Sequence, residues 1–272
     1  MAKFTSTTDQ NAELKLIEIP NNESRRVYLV DVKARVATDI EIISGKSITA
    51  KLNSSPFDGP KGIWIIDLKG VEVGKTILQA KFGGKVVATS EVNIFTKTEI
   101  SLPSAGTVEG MLCRLFIAES INPNDATNYN EANVKQAMTW MRLVLENRLK
   151  HKDPGVFYAS KPIGQAKHTM FDIVRAKGQF KGFGDYPVLS AKKTENITSA
   201  VAFSNNYNHP LRESYARFIE NAKAAARSDG LKGVSDPSPK GLYGWRTKGS
   251  EEPGGDLVGY KDLAGQTFYT VK

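Results

Sequence analysis

Several features are scarce in this 272-residue sequence, and each scarcity excludes a class of protein. A single cysteine, Cys113, cannot form a disulfide within the chain, which excludes a small disulfide-stabilised domain. No apolar run approaches the length of a membrane-spanning helix, so we expect no membrane insertion. The three histidines are far apart in sequence and have no cysteine close by, so we expect no metal and no cofactor.

The start of the chain lacks the apolar segment and the small-residue cleavage site of a secretory signal. We therefore expect synthesis in the cytoplasm without a signal peptide. The composition, 40% hydrophobic and 24% charged, is that of a soluble globular protein. Lys and Arg outnumber Asp and Glu by 37 to 29, a formal charge of +8. Residues 1–100 hold 14 basic and 12 acidic groups, which leaves +6 of the surplus on 101–272.

In residues 1–100, apolar residues recur mostly with a period of two, which is typical of β-strands. Short runs rich in Val, Ile and Leu follow one another at a spacing of roughly ten residues, and turn material such as Gly83-Gly84 separates them. This pattern predicts about seven strands and an immunoglobulin-like β-sandwich over 1–100. The half contains no His and no Cys, so we expect it to be a structural or docking module.

The period changes after a short segment, 101–106, that has the Pro and Gly content of a linker. Apolar residues then recur at the spacing of an amphipathic helix, and two further helical stripes follow from 134 and from 211. The Gly- and Pro-rich stretch 228–259 predicts an ordered loop or a flap, and 266–271 reads as a closing strand. We therefore expect a second, mainly helical domain over 107–272.

Glu119 continues the apolar stripe of the first of these helices, near its C-terminal end. Desolvation and the negative end of the helix dipole both raise the pKa of a carboxyl group in such a place. An acid that stays protonated near neutral pH is what general-acid cleavage of a glycosidic bond requires. The alternative from spacing alone is a glutamate that turns to solvent or pairs with a nearby arginine.

Four segments resemble peptidoglycan-cleaving enzymes. The stretch 115–124, with Glu119-Ser120 followed by an Asn-Pro loop, resembles the end of the catalytic helix of lytic transglycosylases. The helix ending in Asn147-Arg148, the pair Gln179-Phe180 and the closing segment 265–269 resemble SleB-type cell wall hydrolases. The resemblance covers about 110–271. The Gly-Leu-Met-Gln motif of soluble lytic transglycosylases is missing, and the polar insertion 122–133 is longer than usual.

The resemblance implies a lysozyme-like domain that cleaves between N-acetylmuramic acid and N-acetylglucosamine, with Glu119 as the essential acid. The expected fold class is therefore α+β, an all-β immunoglobulin-like sandwich followed by a mainly α-helical lysozyme-like domain. We expect the saccharide to be bound by Ser120, Tyr158, Gln179, Phe180 and Tyr207, since flat aromatic faces and amide groups suit sugars.

Two cleavage outcomes remain open. A hydrolytic muramidase needs a second carboxylate across the scissile bond, whereas a lytic transglycosylase uses the 6-hydroxyl of the substrate itself. The candidates for a second carboxylate are Asp125, Glu131, Glu146 and Asp172, and none has a distinguishing context. We therefore expect a transglycosylase, with hydrolysis as the alternative.

The missing signal and the basic surplus together predict where such an enzyme acts. We expect an antibacterial effector, exported by a type VI secretion apparatus, that acts in the periplasm or on the cell wall; a phage-associated lysin released at lysis is the alternative. The expected partners are peptidoglycan glycan strands, an immunity protein and the secretion apparatus, and not nucleic acid. Two further alternatives are a non-catalytic glycan-binding or structural module and a nuclease toxin using the neighbourhood of His209.

Overall fold

A computed structural model of the chain describes residues 1–8 and 13–272, and these residues form two compact units. The first unit comprises Met1–Glu99 together with Tyr207–Pro210, and the second comprises Ile100–Asn206 together with Leu211–Lys272.

The first unit has eight strands in its described part. They are β1 (Lys3–Thr5), β2 (Leu16–Pro20), β3 (Ser24–Val30), β4 (Ile40–Ser44), β5 (Ile48–Leu52), β6 (Trp64–Gly70), β7 (Gly74–Phe82) and β8 (Lys85–Phe95). One four-stranded sheet has the order β1-β3-β6-β5, and the other has the order β2-β8-β7-β4. All pairs are antiparallel except β2 with β8, which is parallel.

The two sheets share one hydrophobic core. Alternation along β6 buries Trp64, Ile66 and Leu68 on one face, and Ile17 and Val92 contribute to the same core from the other sheet. Two antiparallel-rich sheets that bury alternate residues between them form an immunoglobulin-like sandwich. The turn predicted at Gly83-Gly84 joins β7 to β8, and both glycines have a positive φ.

The second unit combines five helices with a small sheet in its described residues. Its elements are α1 (Val108–Glu119), α2 (Glu131–Lys150), α3 (Met170–Val174), α4 (Ala191–Asn205), α5 (Arg212–Ala226), β9 (Leu242–Thr247), β10 (Leu257–Leu263) and β11 (Gln266–Val271). The sheet is antiparallel with the order β10-β11-β9. Its buried residues Leu242, Trp245 and Phe268 join the helical core, where the rings of Trp140 and Phe268 meet edge to face with centroids 5.1 Å apart.

The predicted fold class, with a mainly α-helical lysozyme-like second domain, is wrong. The described residues contain eleven strands in three sheets, and helices make up only 28% of them. The stretch 151–169 between α2 and α3 has no α-helix, and α3 itself is five residues long. The stretch 228–259, predicted to be a loop or flap, instead holds β9 and the start of β10. Helical periodicity is a local signal, and it does not describe the segment after α5, where β9, β10 and β11 pair with one another.

Segment 101–106, predicted to be a linker, is tied to the second unit by hydrogen bonds. The guanidinium of Arg114 donates a hydrogen bond to the carbonyl oxygen of Pro103 over 2.7 Å. The hydroxyl of Tyr186 donates another to the carbonyl oxygen of Ala105 over 2.9 Å. Just before it, the amide side chain of Asn205 bonds both the N–H and the carbonyl of Ile100, each over 2.8 Å. The segment therefore fixes the start of α1 rather than leaving it free.

Candidate functional site

The site is built around the C-terminal end of α1, where Glu119 is the last helical residue. The helix starts at Thr107, whose hydroxyl accepts a hydrogen bond from the Gly110 N–H over 3.0 Å. Eight of its twelve residues are buried, so almost every face of the helix packs against the core. It ends because Ser120 takes an extended backbone conformation. A fully packed helix thus places the carboxylate of Glu119 at a fixed position.

An ammonium group pairs with the Glu119 carboxylate. The Nζ of Lys193 lies 2.6 Å from Oε1 of Glu119 and donates a second hydrogen bond, over 3.0 Å, to the carbonyl oxygen of Ala118. Both charged side chains are only about one-fifth exposed, at 18% for Lys193 and 20% for Glu119. Lys193 therefore neutralises both the carboxylate and the negative end of the α1 dipole. Desolvation around this carboxyl is expected from the sequence, whereas the neighbouring cation is not.

Two buried polar atoms next to Glu119 have no hydrogen-bond partner in the described part of the chain. Gln266, the first residue of β11, donates from Nε2 to the carbonyl oxygen of Glu119 over 2.9 Å, while its Oε1 stays unpaired. The hydroxyl of Ser120 is the other unpaired atom. Unpaired buried polar atoms are uncommon and usually mark a bound water or a functional position. Here one belongs to the residue that follows Glu119, and the other belongs to the side chain that bonds the backbone carbonyl of Glu119.

Two clefts are lined in part by residues at the start of α4, the helix that carries Lys193, and Glu119 and Lys193 themselves line neither of them. The first has a volume of about 480 Å³ and is lined by residues that include Asn122, Asn124, Glu195, Asn196, Phe203 and Tyr215. The second has a volume of about 640 Å³ and is lined by residues that include Arg175, Lys177, Phe180, Lys181, Gly182 and Ser190. A Cβ atom at Gly182 would come within 3.1 Å of Cγ of Lys193, so the side chain of this lysine packs close to a residue that lines the second cleft.

The lining of the first cleft suits a saccharide. Asn122 and Asn124 belong to the loop that follows Glu119, and α4 adds Asn196, so three amide groups face the cleft. Oδ1 of Asn122 accepts a hydrogen bond from the hydroxyl of Tyr215 over 3.2 Å and another from the backbone N–H of Asn124 over 2.9 Å. These contacts hold the loop in one conformation. Amides beside an aromatic ring can bind both the hydroxyl edge and the flat face of a sugar.

Gln179 and Phe180, both predicted to bind the substrate, contact a buried arginine, and Phe180 also lines the second cleft. Arg148 donates from Nη1 to Oε1 of Gln179 over 3.0 Å and from Nε to the carbonyl oxygen of Tyr243 over 2.7 Å. Its guanidinium also lies over the ring of Phe180, 5.6 Å from the centroid, and burial lowers its pKa to about 10. Phe180 is only 7% exposed and packs against Trp245.

The other two predicted aromatic residues lie in different surroundings. Tyr158 follows the short 3₁₀ turn Pro154–Phe157, adopts a left-handed backbone conformation with φ 61°, and is 66% exposed. Tyr207 belongs to the first unit, where its ring packs against Phe95 with centroids 5.1 Å apart. The structure therefore places Ser120 next to Glu119 in the second unit and assigns Tyr207 to the first.

The four carboxylates considered as a second catalytic group each have structural partners. Asp125 accepts hydrogen bonds from Asn128, and Glu131 pairs with Arg217 over 2.8 Å. Glu146 pairs with the buried Arg142 over 2.7 Å, and Asp172 forms a capping box with Thr169 at the start of α3.

The residues missed by the sequence analysis are Lys193, Gln266 and Glu195. Lys193 has no sequence signal, because no spacing rule relates a lysine to a glutamate 74 residues earlier. Gln266 was noted only as part of the closing segment. Glu195 has no distinguishing local context, and only the structure shows that it lines the same cleft as Asn196.

Metal chemistry and thiol chemistry find no support in the described residues. No group of three or more His, Cys, Asp or Glu side chains is arranged to hold a metal ion within them. Cys113 is buried in the core of α1, and burial raises the pKa of its thiol to about 12, as for an inert structural cysteine. Of the helices that the structure describes, none is both long and apolar enough to cross a bilayer.

No family model matches the chain, and no curated protein matches it. Among solved structures, domains 5-6 of the S-layer protein SbsC are similar with a TM-score of 0.27 and 16% identity, covering 32% of this chain and 43% of that one. The Lin-41 filamin domain is similar with a TM-score of 0.25 and 11% identity, covering 35% of this chain and 93% of that one. The ZIG-8 IG1 homodimer has a TM-score of 0.21 and 9% identity, with coverage of 34% and 87%.

Proposed function

We propose that this protein cleaves the glycan strands of peptidoglycan between N-acetylmuramic acid and N-acetylglucosamine, as a lytic transglycosylase. The observation that carries the proposal is the Glu119–Lys193 pair, a carboxylate and an ammonium that are each only about one-fifth exposed. The amide-rich cleft is lined by Asn122 and Asn124, which follow Glu119 in the chain, and by Lys192 and Glu195, which lie on either side of Lys193 in the sequence. In this proposal the glycan strand lies in this cleft with its scissile bond at Glu119. The four segments that resemble cell wall hydrolases lie in this unit, and two hydrogen bonds, Gln266 to Glu119 and Arg148 to Gln179, join them in pairs.

Glu119 acts first as an acid and then as a base in this proposal. As the acid, it gives its proton to the glycosidic oxygen and becomes an anion, and the nearby ammonium of Lys193 stabilises that anion as it forms. As the base, it accepts the proton of the 6-hydroxyl of the muramic acid residue, which attacks the anomeric carbon and closes the anhydro ring.

Hydrolysis is the second candidate, and one observation favours testing it. Glu195 lines the amide-rich cleft, and a carboxylate there could activate a water molecule. The carboxylates of Asp125, Glu131, Glu146 and Asp172 support the transglycosylase instead, because each is already held by a structural partner.

The biological setting belongs to the same proposal. We propose an antibacterial effector made in the cytoplasm and exported by a secretion apparatus to act on the cell wall, with an immunity protein that covers Glu119 in the producing cell. The basic surplus supports an anionic target, since +6 of the formal +8 lies on residues 101–272. A phage lysin and a non-catalytic glycan-binding module are the competing settings.

Digestion of purified sacculi tests the proposal. We expect the wild type to release anhydro-muropeptides, identified by mass, and Glu119→Gln to lose at least about 100-fold of this activity because the amide cannot donate the proton. Glu220→Gln, which removes an exposed carboxylate on α5, is the matched control and should keep full activity. If the wild type instead releases products with reducing ends, and Glu195→Gln does not, the protein is a hydrolase rather than a transglycosylase. Full activity of the Glu119 variant would refute both.

A further inference from the structure

A third cleft lies at the end of α2, and it contains none of the residues assigned to glycan cleavage. Its volume is about 580 Å³. Its polar lining consists of His151, Lys152, Asp153, Lys161, Lys167 and His168. Two of the three histidines of the chain therefore meet three lysines around one cavity.

The cleft carries an excess of positive charge that the protein does not neutralise. Within residues 1–8 and 13–272, Lys152, Lys161 and Lys167 have no ion-pair partner; Lys161 makes a hydrogen bond of 3.2 Å to the carbonyl oxygen of Ala166. Asp153 is the one carboxylate in the lining, and its Oδ1 accepts a hydrogen bond from the Gly155 N–H over 3.0 Å. Three ammonium groups thus face a single carboxylate that is already bonded.

The two histidines add donors of a different kind. Nδ1 of His151 lies 2.8 Å from the carbonyl oxygen of Asp153 and 3.1 Å from its nitrogen, which leaves Nε2 as the ring nitrogen that can bind a ligand. The His151 ring also packs edge-on against Phe157 and Tyr243, so its position is fixed. Nδ1 of His168 is buried, and no described residue is its hydrogen-bond partner. An anion in the cleft would give this nitrogen an acceptor.

We propose that this cleft binds a phosphate group. Lysines and histidines with unsatisfied donors recognise a phosphate, which accepts hydrogen bonds through several oxygens and carries one or two negative charges. The cleft is far larger than a phosphate ion, so the ligand is a phosphate ester, with space for the group to which the phosphate is attached. The two sources of this chemistry are a free phosphomonoester and a phosphodiester of an anionic polymer.

Titration of the full chain, monitored by NMR of the histidine side chains, tests the site. The chain has only three imidazoles, and His209, in the first unit, serves as an internal reference. We expect inorganic phosphate, at constant ionic strength, to shift the signals of His151 and His168 saturably and to leave His209 unchanged. Dimethyl phosphate replaces inorganic phosphate in a second titration, and tighter binding of either probe identifies the monoester or the diester source.

Paired lysine variants separate this site from general attraction to a basic surface. In the double variant Lys161→Gln, Lys167→Gln, the affinity for whichever probe binds more tightly should fall at least about tenfold. Lys177→Gln, Lys181→Gln removes the same charge from the lining of another cleft and should leave the affinity unchanged. The proposal fails if neither probe gives saturable shifts, if His209 shifts equally, or if both double variants weaken binding alike. None of these readouts depends on glycan cleavage.

Discussion

At the scale of single residues, the pairing of Glu119 with Lys193 decides what chemistry the carboxylate can do. The two side chains are 74 positions apart in sequence and 2.6 Å apart in space. A carboxyl on the apolar side of a helix was predicted to stay neutral by desolvation, and its position at the helix end was predicted correctly. The cation was not predictable, because it comes from a helix whose few buried residues leave almost no sequence signal.

Replacing the lysine tests the proposed acid–base role of Glu119. In Lys193→Met the carboxylate that forms when Glu119 gives up its proton loses the ammonium that stabilises it, so we expect the rate of sacculus digestion to fall about tenfold. Lys135→Met, which removes an exposed lysine of α2, is the control and should keep the wild-type rate. A wild-type rate in Lys193→Met would show that this lysine has no part in the reaction.

The sequence singled out the segment that contains Arg148, but it did not indicate what this arginine contacts. The pair Asn147-Arg148 was noted as part of a resemblance. In the structure the arginine is a buried cation held by the carbonyl oxygen of Tyr243, the amide of Gln179 and two aromatic rings. Asn147 likewise bonds Asp236 over 2.7 Å and the Leu242 carbonyl over 2.9 Å. Both residues join the end of α2 to the chain that leads into β9, a contact across about 90 residues.

At the scale of elements, periodicity located the helices that bury large apolar residues. The stripes starting at 108, 134 and 211 correspond to α1, α2 and α5. Helix α4 was missed because its buried residues are Ile197, Ala200 and Ser204, which are few and mostly small. Strands β9 and β10 were missed because glycines at their ends and within them read as loop signals.

The contact between α1 and the preceding segment gives a prediction about stability. A Cβ atom at Gly110 would lie 1.9 Å from the carbonyl oxygen of Ser104, which no real structure tolerates. Gly110→Ala should therefore destabilise the second unit by about 2–4 kcal/mol through backbone displacement at the helix start. Urea unfolding monitored by circular dichroism measures this change. Gly106→Ala is the matched control, since the nearest atom to its Cβ would be 4.0 Å away; equal effects of both variants would contradict the packing argument.

At the scale of the whole molecule, the described residues form two hydrophobic cores, one in each unit. The change of period near residue 100 anticipated two kinds of structure, and the sandwich follows from strand alternation alone. The architecture of the second unit cannot be derived from such local patterns, because its sheet and helices meet through contacts between distant residues such as Trp140 and Phe268. Local patterns carry no information about which distant segments pair.

The charge of the molecule predicts how salt affects its binding to an anionic wall. Raising NaCl from about 0.1 M to about 1 M shortens the screening length from about 10 Å to about 3 Å. We expect the Glu119→Gln protein, which cannot turn over its substrate, to sediment with sacculi several-fold less at the higher salt. Binding to a neutral chitin oligomer should not change. Salt-independent binding to sacculi would mean that the basic surplus of 101–272 has no part in wall recognition.

The hydrogen bond from Gln266 to the carbonyl of Glu119 has a consequence for biosynthesis. The two residues are 147 positions apart, so a ribosome that has completed α1 must still translate four helices and two strands before it adds Gln266. Lys193 is also added well after Glu119. A nascent chain therefore carries the carboxylate long before its supporting residues exist, and the assembled site is a product of late folding. The timing of translation delays the appearance of this arrangement inside the cell that makes it.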